Sequence, residues 1–133
     1  MVRLFLDANV LFSAAYRPHA GLLELWKRKE TVLCSSHYAV AEAKANLDDE
    51  AQRSRLATLA EEVQLFNAAE QDLPRGIVLP EKGVPIVLAA IEARATHLLT
   101  GDVRHFGRYF GKRIAGIIVL PPGEYLRAPK GND

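Results

Sequence analysis

The chain has 133 residues, 49% of them hydrophobic and 25% charged, with a formal net charge of +1. That length suffices for one domain with one core, and the balanced charge excludes a global field for polyanions, so any nucleic-acid contact must use a local patch. The single cysteine, Cys34, excludes an internal disulfide or a cysteine-rich zinc cluster and fits a reducing compartment.

The N-terminal MVRLFLD reaches a charge too soon for a signal peptide, and the run IAGIIVL is too short to span a bilayer. A cytoplasmic single domain over 1–126 with no membrane association is expected, followed by a frayed polar tail, RAPKGND, at 127–133. Four β-type runs stand out: VRLFL (2–6), TVLC (31–34), HLLT (97–100) and GIIVL (116–120). LFL and IIVL are continuous apolar runs, the pattern of strands covered on both faces. Cys34, inside one of these runs, reads as a small buried hydrophobe.

Helical patterns lie between the strands. AGLLELWKRKE (20–30) puts Leu22, Leu25 and Trp26 on one face, with basic residues in its last turn. SSHYAVAEAKANL (35–47) opens with serine caps. Residues 49–70 carry Leu56, Leu59, Val63 and Phe66 at helical spacing, and VPIVLAAIEARA (84–95) has a proline near its start, where a helix tolerates it. The segment 77–79 (IVL) reads either as an edge strand or as a buried loop. The order strand–helix–strand–helices–strand–helix–strand predicts an α/β fold with a parallel sheet and helices on both faces.

Ligands bind beyond the carboxyl ends of the strands in such sheets. Asp7 ends the first strand, in LFLDANVLFS. Asp102 follows HLLT across one glycine, and Glu42 lies on the helix after the second strand. Each has an ordinary reading: Asp7 as a helix cap, Asp102 as a turn residue, Glu42 as a solvated residue opposite the Val40, Ala43, Leu47 stripe. The alanines at 39, 41, 43 and 45 let that helix approach a neighbour closely. Together the three acids are expected at one sheet edge, where mutual repulsion raises their pKa values unless a cation compensates. Oxygen ligands point to Mg²⁺ or Mn²⁺, and the four histidines lack zinc spacing.

These segments resemble the PIN-domain family in its VapC-like toxin branch of ribonucleases. The likeness runs through LFLDANVLFSA, SSHYAVAEAKANL and VPIVLAAIEARATHLLTGDVRHFG, and weakly into IIVLPPGEYL. It implies a three-layer α/β/α sandwich in which Asp7, Glu42 and Asp102 bind one or two Mg²⁺ or Mn²⁺ ions. It implies hydrolysis of RNA phosphodiesters by a metal-activated water, a small antitoxin partner and a homodimer. Asn9 and Thr100 match polar positions that would support the ligands. Asn9 reads equally as a loop amide bonding its own backbone, and Thr100 as an ordinary strand-end threonine.

One departure from the family pattern stands at Gly83, where an aspartate is usual. Three outcomes follow: a site that works with three acids, substitution by Glu81, or a weakened site in a PIN fold that binds RNA or a partner without cutting. The stretch VRHFGRYFGKR (103–113) interleaves basic and aromatic residues. Its aromatics are expected in the core, with Arg104 and His105 as substrate contacts beside Asp102, and Lys44 as a further one. A phosphoryl-accepting aspartate of the D-x-D-x-T kind is disfavoured by Asn9 and Leu11, a receiver domain by the lack of paired acids, and a dinucleotide site by the lack of G-x-G-x-x-G.

Overall fold

The structure is a computed structural model that describes residues 1–128. Six strands form one sheet: β1 (Val2–Leu6), β2 (Thr31–Ser36), β3 (Gln64–Phe66), β4 (His97–Leu99), β5 (Arg113–Ile114) and β6 (Ile117–Leu120). Their spatial order is β3-β2-β1-β4-β6-β5, parallel except for β5, which pairs antiparallel with β6. The six helices are α1 (Ala8–Ala15), α2 (His37–Asn46), α3 (Glu50–Ala60), α4 (Val84–Glu92), α5 (Val103–Phe106) and α6 (Pro122–Arg127). The chain runs outward from β1 through β2 to β3, then crosses back to β4 and on to β6. With right-handed crossovers this puts α1–α3 on one face of the sheet and α4 and α5 on the other, giving the expected three-layer α/β/α sandwich. The strand order reverses between β1 and β4, and a crevice opens there at the carboxyl ends.

The core follows from the apolar runs. Leu4, Phe5 and Leu6 of β1, Leu98 and Leu99 of β4, and Val119 of β6 are all essentially inaccessible. Burial of each such side chain contributes about 1.5–3 kcal/mol. Helix α4 supplies Ile86, Val87, Ala89 and Ala90 to one face, and α1 supplies Val10, Leu11 and Ala15 to the other. Among the described residues no helix is long and apolar enough to cross a membrane.

Four expectations are corrected or settled. The helix read over 49–70 stops at Ala60. It starts well, because Asp49 and Gln52 form a reciprocal capping box, but the chain turns at Glu61–Glu62 and Gln64–Phe66 pair with Cys34–Ser36 as an edge strand. Val63 and Phe66 kept helical spacing because both pack on the same core from a different element. The segment 20–30 is a 3₁₀ helix over Gly21–Lys27. Arg28 is already extended and Glu30 has φ 58°, so the chain is leaving for β2 before a longer helix can form. Residues 77–79 form a loop, pinned where the Val78 N–H donates to Tyr109 Oη at 3.0 Å. Strand β5 was not foreseen. At the C-terminus, Arg127, assigned to the frayed tail, closes α6; the tail from residue 129 lies outside the described residues.

Candidate active site

Asp7 sits at the first residue beyond β1 and does two jobs at once. Its Oδ1 accepts the Ala8 N–H at 2.7 Å, capping α1. Its Oδ2 accepts the Thr100 hydroxyl at 2.7 Å and the Asn9 amide at 3.3 Å. The carboxylate is only 4% exposed. Burial therefore pushes its pKa above the ordinary carboxylate range; the Thr100 and Ala8 hydrogen bonds pull it down, and the charges of Asp102 and Glu42 push it further up.

Thr100 ties the two central strands together at this point. While donating to Asp7, its oxygen accepts the Asp102 N–H at 3.0 Å and the Asn9 amide at 3.4 Å. Asn9 closes the ring by accepting the Gly101 N–H at 2.8 Å. Asp102 caps α5 by accepting the His105 N–H at 3.0 Å, and its other oxygen lies 2.7 Å from His105 Nδ1. A carboxylate at pH 7 only accepts, so Nδ1 carries the proton in this contact.

Glu42 arrives from α2. The Ser36 hydroxyl caps that helix by accepting the Ala39 N–H at 3.0 Å, and the adjacent Ser35 is buried, donating to the Leu6 carbonyl at 2.7 Å. Ala39 and Ala43 are fully buried, so α2 packs closely on α1 and carries Glu42 to the crevice. Glu42 makes no hydrogen bond or ion pair among the described residues.

A cleft of about 370 Å³ opens over these groups, lined by Asp7, Asn9, Glu42, Lys82, Asp102 and His105 among others. The structure thus brings together the three acids, Asn9 and His105, with Thr100 buried beneath them. Arg104 and Lys44 are exposed and do not line the cleft, and neither does Glu81. Three nearby residues escaped the sequence reading. Lys82 and Phe12 line the cleft, and exposed Tyr38 stands one helical turn before Glu42 on α2, outside the lining. The phenol of Tyr38 is pushed above its usual range, first by desolvation and then by Glu42 and Asp7. Lys82 was signalled only by its place next to Gly83.

The donors suit a hard divalent cation. Each carboxylate oxygen has two lone pairs; Asp7 spends both of Oδ2 on Thr100 and Asn9 and one of Oδ1 on the Ala8 N–H, which leaves one, and each Asp102 oxygen spends one on His105. Glu42 spends none. Among the described residues no three His, Cys, Asp or Glu side chains stand close enough to form a ready-made cage. An open site of one or two carboxylates with water completing the shell is what Mg²⁺ takes.

The fold and the position of this cleft define a PIN-like α/β/α domain. Neither a family model nor a curated protein matches the chain by sequence. Among solved structures it matches a chain of VapBC2 from Rickettsia felis bound to a DNA fragment from their promoter, with TM-score 0.60 and 17% identity, over 90% of this chain and 98% of that one. At that identity the likeness speaks for the fold.

Proposed function

We propose that this protein is a metal-dependent endoribonuclease and the toxin of a toxin–antitoxin pair. The observation that carries the reading is the convergence of Asp7, Glu42 and Asp102, from three separate elements, on one cleft at the point where strand order reverses. Structural needs alone would cap two helices there; they would not add Glu42 without a partner. The fold shared with a VapBC2 chain supports a small antitoxin as partner. The sequence resemblance supports RNA as substrate and a homodimer as the toxin's own assembly.

Asp7, Glu42 and Asp102 would hold Mg²⁺ or Mn²⁺. The chemistry the ion supplies when bound is charge stabilisation on the phosphodiester and a water acidic enough to attack near neutral pH. The chain's own contribution is positional. Thr100 and Ala8 fix both oxygens of Asp7, so that carboxylate cannot rotate. Asn9 locks the β1 end to Gly101 at the β4 end. His105 orients Asp102 through two contacts. Glu42, on the opposite helix and unconstrained, is the ligand able to adjust. Such prior ordering lowers the cost of reaching the reactive geometry.

A second reading is a PIN-fold module that binds RNA or a protein without cutting. It is favoured by Gly83, which offers no carboxylate, and by the absence of a ready-made cage among the described residues. Incubating the protein with mixed structured and single-stranded RNAs in Mg²⁺, Mn²⁺ or EDTA separates the two. The nuclease reading predicts cleavage with metal and none in EDTA. RNA binding by folded protein without cleavage under any metal would leave the binding module.

A further inference from the structure

We propose that Lys82 grips an RNA phosphate in this cleft. This deepens the ribonuclease reading and rests on it: it names the residue that receives the polyanion. A cleft lined by three carboxylates repels a phosphodiester, and a bound divalent cation offsets only part of that charge. Lys82 is the single lysine or arginine among the residues lining the cleft. The basic residues nearest the acids in sequence, Lys44 and Arg104, do not line it.

Two features set Lys82 apart from an ordinary solvated lysine. Its backbone belongs to the 3₁₀ turn Glu81–Gly83, closed by the Gly83 N–H donating to the Pro80 carbonyl at 2.9 Å. That turn is pinned against the acid side: Gly83 is buried, and a Cβ there would lie 3.5 Å from Phe106 and 3.7 Å from His105. The base of the side chain is thus fixed beside the Asp102–His105 pair. Meanwhile Lys82 makes no hydrogen bond or ion pair among the described residues, so its ammonium is not consumed by the acids it faces. A flexible stem with a compact charge at its tip suits a phosphate approaching along the cleft.

The arrangement has a two-sided electrostatic signature. Lys82 attracts the phosphate and repels the cation. Removing its charge should weaken one ligand and tighten the other, which a solvated or merely structural lysine would not do. The test uses the full chain as wild type, Lys82→Met and Lys82→Arg. Binding of a fluorescent single-stranded RNA is measured by anisotropy in EDTA across a salt series, and Mn²⁺ binding by calorimetry without RNA. The expected result for Lys82→Met is RNA binding weaker by about three- to tenfold, with Mn²⁺ binding tighter by about threefold. The salt slope should become shallower by about 0.7, the loss of one single-strand phosphate contact. Lys82→Arg should restore the RNA affinity and the slope.

Equal RNA affinity and slope in folded wild type and Lys82→Met overturn the inference, and leave the ribonuclease reading intact if both still cleave. Wild type that binds RNA but never cleaves it overturns the ribonuclease reading, while the affinity comparison still decides Lys82. Wild type that binds no RNA in EDTA overturns the Lys82 inference, and overturns the ribonuclease reading as well only if it also fails to cleave RNA with Mn²⁺.

Discussion

The Thr100 hydroxyl donates to Asp7 Oδ2 at 2.7 Å, joining the ends of two neighbouring strands whose residues lie 93 positions apart in the chain. The same oxygen accepts the Asp102 N–H at 3.0 Å. One buried hydroxyl therefore sets both strand-end acids. Thr100→Val keeps the shape and removes both bonds. It should lower stability by about 1–3 kcal/mol, because a buried carboxylate and a part-buried N–H lose a partner. Urea denaturation checks the size; Thr100→Ser should recover most of it.

The burial of Asp7 has a pH signature. Its folded-state pKa is raised, so the folded chain holds its proton more tightly than the unfolded chain. Stability from this group is full below the unfolded pKa and is lost as pH rises through the folded one. Metal-free wild type should therefore lose ground against Asp7→Asn as pH climbs from the acid range toward neutrality. Melting temperatures of the two proteins in EDTA, compared across that range, should diverge with rising pH. A difference that stays constant, or that shrinks, would contradict the burial account.

A divalent cation should relieve that penalty. Mn²⁺ at about a hundredfold excess over its dissociation constant should stabilise wild type by about 2.7 kcal/mol, by mass action alone. The gain should largely vanish in Asp7→Asn and diminish in Glu42→Gln. Thermal shift with and without Mn²⁺ reads this directly, independently of any RNA.

Gly83 has room for a Cβ. Its backbone is ordinary (φ −80°, ψ −22°), and a Cβ would meet Phe106, Leu79 and His105 at 3.5, 3.6 and 3.7 Å, normal contacts. The position also adjoins the N-terminus of α4 with helical backbone, where an aspartate gains from the helix dipole. Gly83→Asp should fold with a melting temperature close to wild type and bind Mn²⁺ more tightly in calorimetry. A large loss of stability would mean that the pocket beside Phe106 does not yield to a charged group.

The legible parts of this protein are those where one local pattern dictates one outcome. β1 was readable to the residue because the apolar LFL ends at a charge, and α2 to within two residues, since Ser35 and Ser36, read as its opening, instead close β2, with Ser36 capping the helix. The topology followed, and with it the meeting of Asp7, Glu42 and Asp102. The sequence posed an ordinary role, a cap for Asp7 and a turn for Asp102, as the alternative to site placement, whereas in the structure each caps a helix and lines the cleft. What stayed hidden depends on distant partners. Gln64–Phe66 become a strand only because β2 offers an open edge, and Arg113–Ile114 only because β6 does. Lys82 reaches the cleft because its turn sits against α5, a contact that no local pattern encodes.

The measurement that bears most directly on the central claim is single-turnover RNA cleavage by wild type, Asp7→Asn, Glu42→Gln and Asp102→Asn, each verified as folded, with Mn²⁺ and with EDTA. If the three acids form one metal-holding site, wild type cleaves only with Mn²⁺, and each substitution lowers the rate by about a hundredfold or more, the scale of a lost electrostatic element at a reacting centre. Wild-type cleavage that persists in EDTA, or that survives all three substitutions, would contradict it.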